Sequence, residues 1–280
     1  MTTTTLPSPV DVIDVASLRD EGPAQRLRWA IDDTLTITWR NIVSMRRVPQ
    51  VLVFSTIQPI IFVLMFRYVF GGAISTGLPG IPYVDFLMPG VFVQTITFGS
   101  IQTGVGLADD LTKGLIERFR SLPMARSAVL AGRTVADLTR NVFVFLLMTG
   151  VGFAVGFRLH AGVPAFIAAL FVLLLFTFAL SWIFAYVGLR MRNAEAAQAA
   201  AFPLVAPLVF ASSAFVPLSS QPGWLQVFSA HQPLTLTVNA IRALCIGGPT
   251  LTPALQSIAW SLGIIAVFAP IAVRRYRQTA

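Results

Sequence analysis

The residues best suited to chemistry in this sequence are the charged side chains clustered between Gly114 and Arg126. This interval reads GLIERFRSLPMAR and carries Glu117, Arg118 and Arg120 between two long apolar runs. Each charge at the centre of a bilayer costs about 2.5–3.5 kcal/mol. The segment is therefore predicted to lie in water at one face of a membrane, held there by the helices on either side.

The local sequence of this segment favours a short helix that ends at Pro123, because proline cannot continue the hydrogen-bond ladder of a helix. On that helix Leu115, Phe119 and Leu122 share one face at i, i+4, i+7 spacing, and the charged residues occupy the remainder. An apolar face surrounded by charges is suited to a pocket on a soluble partner protein.

Sequence signatures of catalysis are absent from the chain. The only lysine, Lys113, lacks the glycine pattern of a G-x-x-x-x-G-K-S/T phosphate loop, and neither G-x-S-x-G nor H-E-x-x-H occurs. The single Cys245 has no disulfide partner, and His160 and His231 lie far apart. We therefore predict that the chain is not an enzyme and holds no metal or cofactor of its own.

The composition indicates a membrane protein. Of 280 residues, 55% are hydrophobic and 11% are charged, with a mean hydropathy of +0.75, whereas soluble domains carry roughly 25% charged residues. Several apolar runs approach the ~20 residues that a membrane helix needs. The net charge of +8 fits basic residues at the cytoplasmic face of a membrane better than nucleic-acid binding. We predict an all-α integral membrane protein that binds no nucleic acid.

Six transmembrane helices are predicted from the apolar runs, at about 51–70, 85–107, 135–157, 164–189, 199–216 and 255–273. Residues 1–25 are predicted to be a disordered cytoplasmic tail, and 26–280 the transmembrane domain, with a charged loop at 109–133. An amphipathic helix at 26–47 is predicted to lie in the membrane interface, with Trp39 and Arg40 near the lipid head groups. The alternative is that this helix simply extends the first span.

The second span has a face of small and polar residues that includes Thr95, Gly99, Gln102, Thr103 and Gly106. Because small residues let helices approach closely, we favour a packing role for this face. The alternative is that its polar members, Thr95, Gln102 and Thr103, line a pathway for a transported substrate.

Ionisable residues inside the predicted spans are few. Asp137 and Arg140 stand at i, i+3 spacing in the third span, and we predict that they pair with each other, since pairing lowers the cost of burying charge. A proton relay needs Asp, Glu or His within the bundle, and the sequence offers too few of them.

Residues 217–249 form a different kind of segment, with no uninterrupted apolar window of about 20 residues. Two short amphipathic helices, broken near His231 and Pro233, are predicted to form a re-entrant hairpin that dips partway into the outer leaflet. The residues that mark this outer hairpin are Pro217, Trp224, Pro233 and Arg242.

The distribution of basic residues predicts the orientation of the chain. With both termini on one side, all but three of the 20 basic residues lie on that side, the exceptions being Arg67, Arg158 and Arg242. The positive-inside rule then places both termini and the charged loop in the cytoplasm. Arginine greatly outnumbers lysine, as in bacteria with GC-rich genomes, so we predict a multi-pass protein of a bacterial plasma membrane.

Two motifs in this order resemble a known family. The loop has Glu117-Arg118 followed by Pro123 and Arg126, which is similar to an E-R-x-x-x-x-P-x-x-R pattern of type-2 ATP-binding-cassette (ABC) exporter permeases. The outer hairpin resembles theirs at Pro217-Leu218, Pro222, Trp224-Leu225, Pro233-Leu234 and Arg242. The resemblance covers 26–277 and is greatest to daunorubicin-resistance-type permeases of actinobacteria.

This resemblance implies a permease subunit that exports a hydrophobic drug or lipid. It implies two permease chains, as a homodimer or heterodimer, and two cytoplasmic ATPase subunits that bind ATP and Mg²⁺. The charged segment would be the coupling helix received by an ATPase. In that role Leu115, Phe119 and Leu122 supply apolar contact. Glu117, Arg118 and Arg120 would set the orientation of the helix through ion pairs, and Pro123 and Arg126 complete the predicted coupling segment.

Other functions remain open from the sequence. The cargo of such an exporter is alternatively a polysaccharide or glycolipid. A gradient-driven secondary transporter would show an intramembrane carboxylate or histidine and often internal repeats, neither of which is evident. A lipid-modifying enzyme would need a nucleophile and base near one interface, and only Ser229 and His231 could begin such a cluster.

Overall fold

The computed structural model describes residues 32, 35, 36, 38, 39 and 43, and then 49–72, 80–114 and 126–279. Within these ranges the chain is helical and contains no strand. Its longer helices are α1 (Pro49–Met65), α2 (Tyr83–Thr112), α3 (Arg126–Val155), α4 (Gly162–Gly188), α5 (Ala194–Phe210), α6 (Gly223–His231), α7 (Pro233–Ile246) and α8 (Leu251–Thr279). A π-helical turn, Phe66–Phe70, extends α1.

Four helices in the described part of the chain are long and apolar enough to cross a membrane. They are α2, α4 and the apolar parts of α3 and α8, at Gly132–Val155 and Leu251–Tyr276. Three shorter apolar helices are Thr56–Phe70, Ala194–Phe210 and Pro233–Ile246. The prediction of an all-α integral membrane protein is therefore confirmed, and the chain is a multi-pass membrane protein.

Helix α2 is at the centre of the bundle and contacts α1, α3, α4, α5 and α7. In its most apolar stretch 89% of the residues are buried, whereas the corresponding share in α8 is 17%. Phe92 of α2 packs against Phe145 of α3 and Phe157 beyond it, with ring centroids 4.8 and 6.0 Å away. Residues of α2 therefore meet side chains from most of the bundle, which makes this helix the natural support for a site.

The two ends of the bundle are distinct. At one end, the loop end, Leu107, Leu189 and Tyr276 form a small apolar cluster where α2, α4 and α8 finish. At the other, the hairpin end, the backbone of His160 donates a hydrogen bond to the carbonyl of Cys245 (2.9 Å). Helices α6 and α7 lie in this hairpin end and meet at Gln232, so the predicted break between two short helices is confirmed.

The predicted loop at 109–133 is too long, because helices occupy both of its edges. Helix α2 continues to Thr112, and α3 begins at Arg126. An i, i+4 pair between Lys113 Nζ and Asp109 Oδ2 (2.7 Å) supports the last turn of α2 in water. This hydrogen bond, with the attraction of the same carboxylate, raises the pKa of Lys113.

The connection between the predicted spans at 164–189 and 199–216 is also shorter than expected. Helix α5 already begins at Ala194, because the Asn193 side chain accepts a hydrogen bond from the Ala196 backbone N–H (2.8 Å) and caps the helix. Helix α5 also ends early, at Phe210, where the span was predicted to continue to 216. Helix α3 begins nine residues before its predicted start, and α8 ends six residues beyond its predicted end.

Candidate functional site

The predicted coupling helix lies outside the described residues. This applies to Leu115, Glu117, Arg118, Phe119, Arg120, Leu122 and Pro123, so their roles stay predictions. The described chain reaches Gly114, whose φ of +65° is a conformation that favours glycine, and resumes with the backbone of Arg126. What the structure does show is how the two helices that carry this segment, α2 and α3, are joined.

The first connection lies at the loop end. Arg133 Nη1 of α3 is 2.6 Å from Asp110 Oδ2 of α2, and both side chains are mostly buried. Gly106, one turn deeper on α2, makes room for the guanidinium, since an added Cβ would lie 1.4 Å from Arg133 Nη2. Glycine at 106 and the ion pair above it are therefore parts of one arrangement.

Two further connections follow towards the middle of the bundle. Thr103 Oγ1 donates to Asp137 Oδ2 (2.6 Å), and Arg140 Nη2 donates to the Gly99 carbonyl (2.6 Å). These three contacts between α2 and α3 are called the polar ladder below. Its residues are Asp110, Thr103 and Gly99 on α2 with Arg133, Asp137 and Arg140 on α3.

The predicted pairing of Asp137 with Arg140 is wrong. No ion pair joins them in the described structure; each binds a group on α2 instead. The i, i+3 spacing does place both side chains on one face of α3. That face packs on α2, where a hydroxyl and a backbone carbonyl are available, so each charged group finds a partner across the helix interface.

A cavity of about 180 Å³ opens at the inner end of the polar ladder, between α1, α2, α3 and α5. Its buried floor carries the polar side chains of Gln94, Thr95, Arg140 and Asn141, each less than a tenth exposed. Gln58 of α1 and Gln198 of α5 are exposed at its rim. A polar floor in the midst of apolar helices is suited to binding a ligand by hydrogen bonds and charge.

The residues predicted as pathway-lining divide between two places. Thr95 and Gln102 line the cavity, whereas Thr103 is 1% exposed, belongs to the polar ladder and is 3.4 Å from Ser181 Oγ of α4. Gln94, Arg140 and Asn141 were not predicted to line it. The sequence signal that could have found them is that polar residues stand next to each other within apolar spans, as Gln94 does beside Thr95 and Arg140 beside Asn141.

The hairpin end is held by a buried arginine. Arg242 of α7 lies with its guanidinium carbon 3.7 Å from the centroid of the Phe86 ring. It donates to the carbonyls of Ser213 (2.7 Å) and Phe86 (3.2 Å) and to Asn239 Oδ1 (3.2 Å). Arg242 therefore ties the outer hairpin to α2 and to the end of α5.

The other predicted hairpin and interface residues are more exposed. Trp224 of α6 is 76% exposed, Pro217 precedes a short 3₁₀ turn at Leu218–Ser220, and Pro233 begins α7. Trp39 is helical and 65% exposed, and Arg40 lies outside the described residues. A large exposed tryptophan on each segment agrees with contact to lipid.

Sequence comparison identifies the class of protein to which this helical bundle belongs. The profile of the family described as "ABC-2 type transporter" matches residues 32–246. The chain therefore belongs to the ABC-2 type transporter family. It is the permease subunit of an ABC exporter and not an enzyme, and the ATPase is a separate subunit. The resemblance read from the loop and hairpin motifs is thereby confirmed.

Several relatives are similar to most of the chain. It is 35% identical over 258 residues to the "Daunorubicin resistance ABC transporter permease protein DrrB1" of Streptomyces coeruleorubidus. The aligned region covers 92% of this chain and 90% of that relative. It is 28% identical over 276 residues to the "Probable doxorubicin resistance ABC transporter permease protein DrrC" of Mycobacterium tuberculosis, over 96% of both chains. A "Putative transport permease ycf38" of Cyanophora paradoxa is 27% identical over 76% of this chain.

Proposed function

We propose that this chain exports a hydrophobic or amphipathic drug or lipid, driven by ATP hydrolysis on two cytoplasmic ATPase subunits. The observation that carries this proposal is the similarity over nearly the whole chain to a permease named for daunorubicin resistance. Export of a polysaccharide or glycolipid is the second candidate. The polar cavity floor supports cargo that carries a hydrogen-bonding group as well as an apolar body.

Six helices, α1 to α5 and α8, are proposed to cross the plasma membrane, with α6 and α7 as a hairpin in the outer leaflet. Charge supports this arrangement. Lys113, Arg133, Arg190 and Arg274 lie at the loop end, and Arg158 and Arg242 at the hairpin end. By the positive-inside rule the loop end and both termini face the cytoplasm.

The coupling mechanism is proposed to run through the segment between α2 and α3. Closure of the ATPase dimer around ATP pushes on this segment, and α2 and α3 move together because the polar ladder joins them. Such coupling requires contacts that differ between two states of the transporter. A second permease chain, identical or related, completes the pathway, and ATP and Mg²⁺ bind only to the ATPase partners.

The test is to co-express the chain with its ATPase, purify the complex and reconstitute it in inside-out vesicles. Daunorubicin is expected to accumulate in the vesicles when ATP is added, and to raise ATP turnover. An ATPase subunit whose phosphate-loop lysine is changed to alanine is the matched control and should give no accumulation.

The outcomes separate the candidate functions. Accumulation by the permease alone under a proton or sodium gradient would overturn the proposal in favour of a secondary transporter. A complex that assembles and hydrolyses ATP but neither moves nor responds to daunorubicin or labelled lipid would indicate the polysaccharide or glycolipid alternative.

A further inference from the structure

The floor of the cavity between α1, α2, α3 and α5 contains three polar atoms that have no hydrogen-bond partner in the described structure. They are Gln94 Oε1, Thr95 Oγ1 and Asn141 Nδ2, on side chains that are 3%, 9% and 2% exposed. Leaving a buried polar group without a hydrogen bond costs about 1–3 kcal/mol. All three side chains line the same small space, so one ligand with several polar atoms can satisfy them together.

Thr95 differs from the neighbouring buried hydroxyls of α2. Thr97 and Ser100 each donate to a backbone carbonyl four residues earlier, at 2.7 and 2.9 Å, as hydroxyls within apolar helices commonly do. Neither of them lines the cavity. The Thr95 hydroxyl makes no such bond and does line the cavity, so it is available to a ligand there.

The charges around this floor oppose each other. Arg140 lines the cavity, but the carboxylate of Asp137, three residues earlier on α3, acts on its charge. An anion would therefore meet repulsion as well as attraction. A cation would find no carboxylate, because no Asp or Glu of the described residues lines the cavity. Since burying a charge without a matched partner is costly, the floor suits an uncharged group.

The lining is rich in carboxamides, which are uncharged and offer both donors and acceptors. They belong to Gln58, Gln94, Gln102, Asn141 and Gln198. One wall is apolar, where the rings of Phe98 and Phe202 stack with centroids 5.9 Å apart. Amides facing an aromatic wall match a ring that bears carbonyl and hydroxyl groups.

The size of the cavity limits how much of a cargo molecule it can hold. About 180 Å³ is less than the roughly 300–1,000 Å³ of pockets that enclose drug-sized ligands. It is enough for one part of the cargo, with the rest passing out over the exposed rim at Gln58 and Phe202. A charged group elsewhere on the cargo then stays outside the cavity.

We propose that this cavity binds the uncharged, oxygen-bearing part of the cargo, a ring with carbonyl and hydroxyl groups. Asn141 donates to a carbonyl oxygen, Gln94 accepts from a hydroxyl, and Thr95 can do either. Charge on the cargo is not read by this site. The inference rests on the proposed export function and adds which chemical groups of the cargo are recognised.

The experiment measures binding without ATP, in the purified permease–ATPase complex in nanodiscs of phosphatidylcholine. Three probes share a fluorescently labelled dodecyl chain that ends in a phenyl ring. The ring of the first carries acetyl and hydroxymethyl groups, and that of the second carries isopropyl and ethyl groups of nearly the same shape. The third is the first with a trimethylammonium group on the chain, beyond the ring.

Fluorescence anisotropy, corrected for binding to nanodiscs without protein, is expected to show that the first probe binds roughly tenfold more tightly than the second. The physical reason is that the hydrocarbon ring displaces water from the polar floor without replacing its hydrogen bonds. The third probe is expected to bind within about threefold of the first, because its charge lies outside the cavity.

The variants test which side chains produce this preference. Gln94→Met, Thr95→Val and Asn141→Leu keep the approximate shape of each side chain and remove its hydrogen bonds. Each should weaken the first probe about three- to tenfold and leave the second unchanged. Thr97→Val is the matched control and should weaken neither, because Thr97 is a buried threonine of the same helix whose hydroxyl bonds within that helix.

Equal affinity for the first and second probes would overturn the proposal and mean that water alone fills the cavity. Equal effects of Thr95→Val and Thr97→Val would overturn it too, as would a tenfold difference between the first and third probes. Should Gln94→Met or Asn141→Leu fail to assemble with the ATPase, Thr95→Val decides. Because ATP is absent, selective binding without transport would contradict the export function alone, and transport without this selectivity would contradict the site alone.

Discussion

At the crossing of α2 and α4, Gly104 and Gly188 bring the two helix backbones into contact. A Cβ added at Gly104 would lie 2.3 Å from the carbonyl oxygen of Phe184, and one at Gly188 would lie 2.2 Å from the carbonyl oxygen of Gly104. The obstructing atoms belong to backbone, so rotation of a side chain cannot relieve the overlap. The crossing therefore accepts no side chain at either position, which is a common basis of close packing between membrane helices.

We expect Gly104→Ala to lower the thermal stability of the permease, because overpacking of this kind costs about 1–3 kcal/mol. The apparent Tm in detergent, followed by the loss of the monodisperse peak on size-exclusion chromatography, checks this. Gly263→Ala is the control, since Gly263 is also helical but has no neighbouring atom within 4 Å of an added Cβ. A Tm for Gly104→Ala that equals that of Gly263→Ala would contradict the prediction.

The sequence alone identified many of the small and polar residues at which helices pack, but it did not identify the residues that they contact. The small face of α2 was predicted from Gly99, Thr103 and Gly106, and these residues do lie against α3. The partners of Asp137 and Arg140 were missed, because spacing along one helix identifies which side chains share a face but not which helix packs against it. Interactions between helices depend on the tertiary arrangement, which local periodicity does not contain.

At the scale of elements, the polar ladder makes α2 and α3 a paired unit. From Gly99 to Asp110 it covers twelve residues of α2, which are eleven steps of 1.5 Å and a length of about 16.5 Å. The mostly buried pair between Asp110 and Arg133 lies nearest the segment that joins the helices. Breaking it should let the two helices move independently where force from the ATPase arrives.

We expect Arg133→Gln to reduce the stimulation of ATP hydrolysis by cargo fivefold or more, within the 5–150-fold range typical of coupling between sites. Assembly with the ATPase and basal hydrolysis should change less. The charge reversal Asp110→Arg with Arg133→Asp should recover part of the stimulation, because the ion pair can re-form in the opposite sense. Full stimulation in Arg133→Gln would show that the pair does not transmit motion.

Element boundaries were predicted well wherever an apolar run ended in a break, as at Gln232 between α6 and α7. They were predicted poorly at the loop end, where α2 and α3 continue beyond their apolar parts. Hydropathy reports where a helix leaves the hydrocarbon, not where it stops being helical. The exposed ion pair of Lys113 with Asp109 supports the last turn of α2 in water, and the mostly buried pair of Arg133 with Asp110 joins α2 to α3 there, and neither gives an apolar signal.

For the whole molecule, the two ends of the bundle differ in charge, and this difference predicts which end faces the cytoplasm. Single cysteines introduced into a Cys245→Ser background test the orientation. Ser220→Cys at the hairpin end should react in intact cells with a membrane-impermeant maleimide. Arg192→Cys at the loop end should react only after the membrane is opened, and labelling of Arg192→Cys in intact cells would reverse the proposed topology.

Arg140 takes part in two features of the structure. It forms the innermost contact of the polar ladder, and it also lines the floor of the cavity between α1, α2, α3 and α5. A guest molecule that offers a hydrogen-bond acceptor would compete with the Gly99 carbonyl for the same guanidinium. Binding of cargo would then weaken the contact between α2 and α3 at the inner end of the polar ladder. The ATPase would meet a different resistance to moving the two helices when the cavity is occupied.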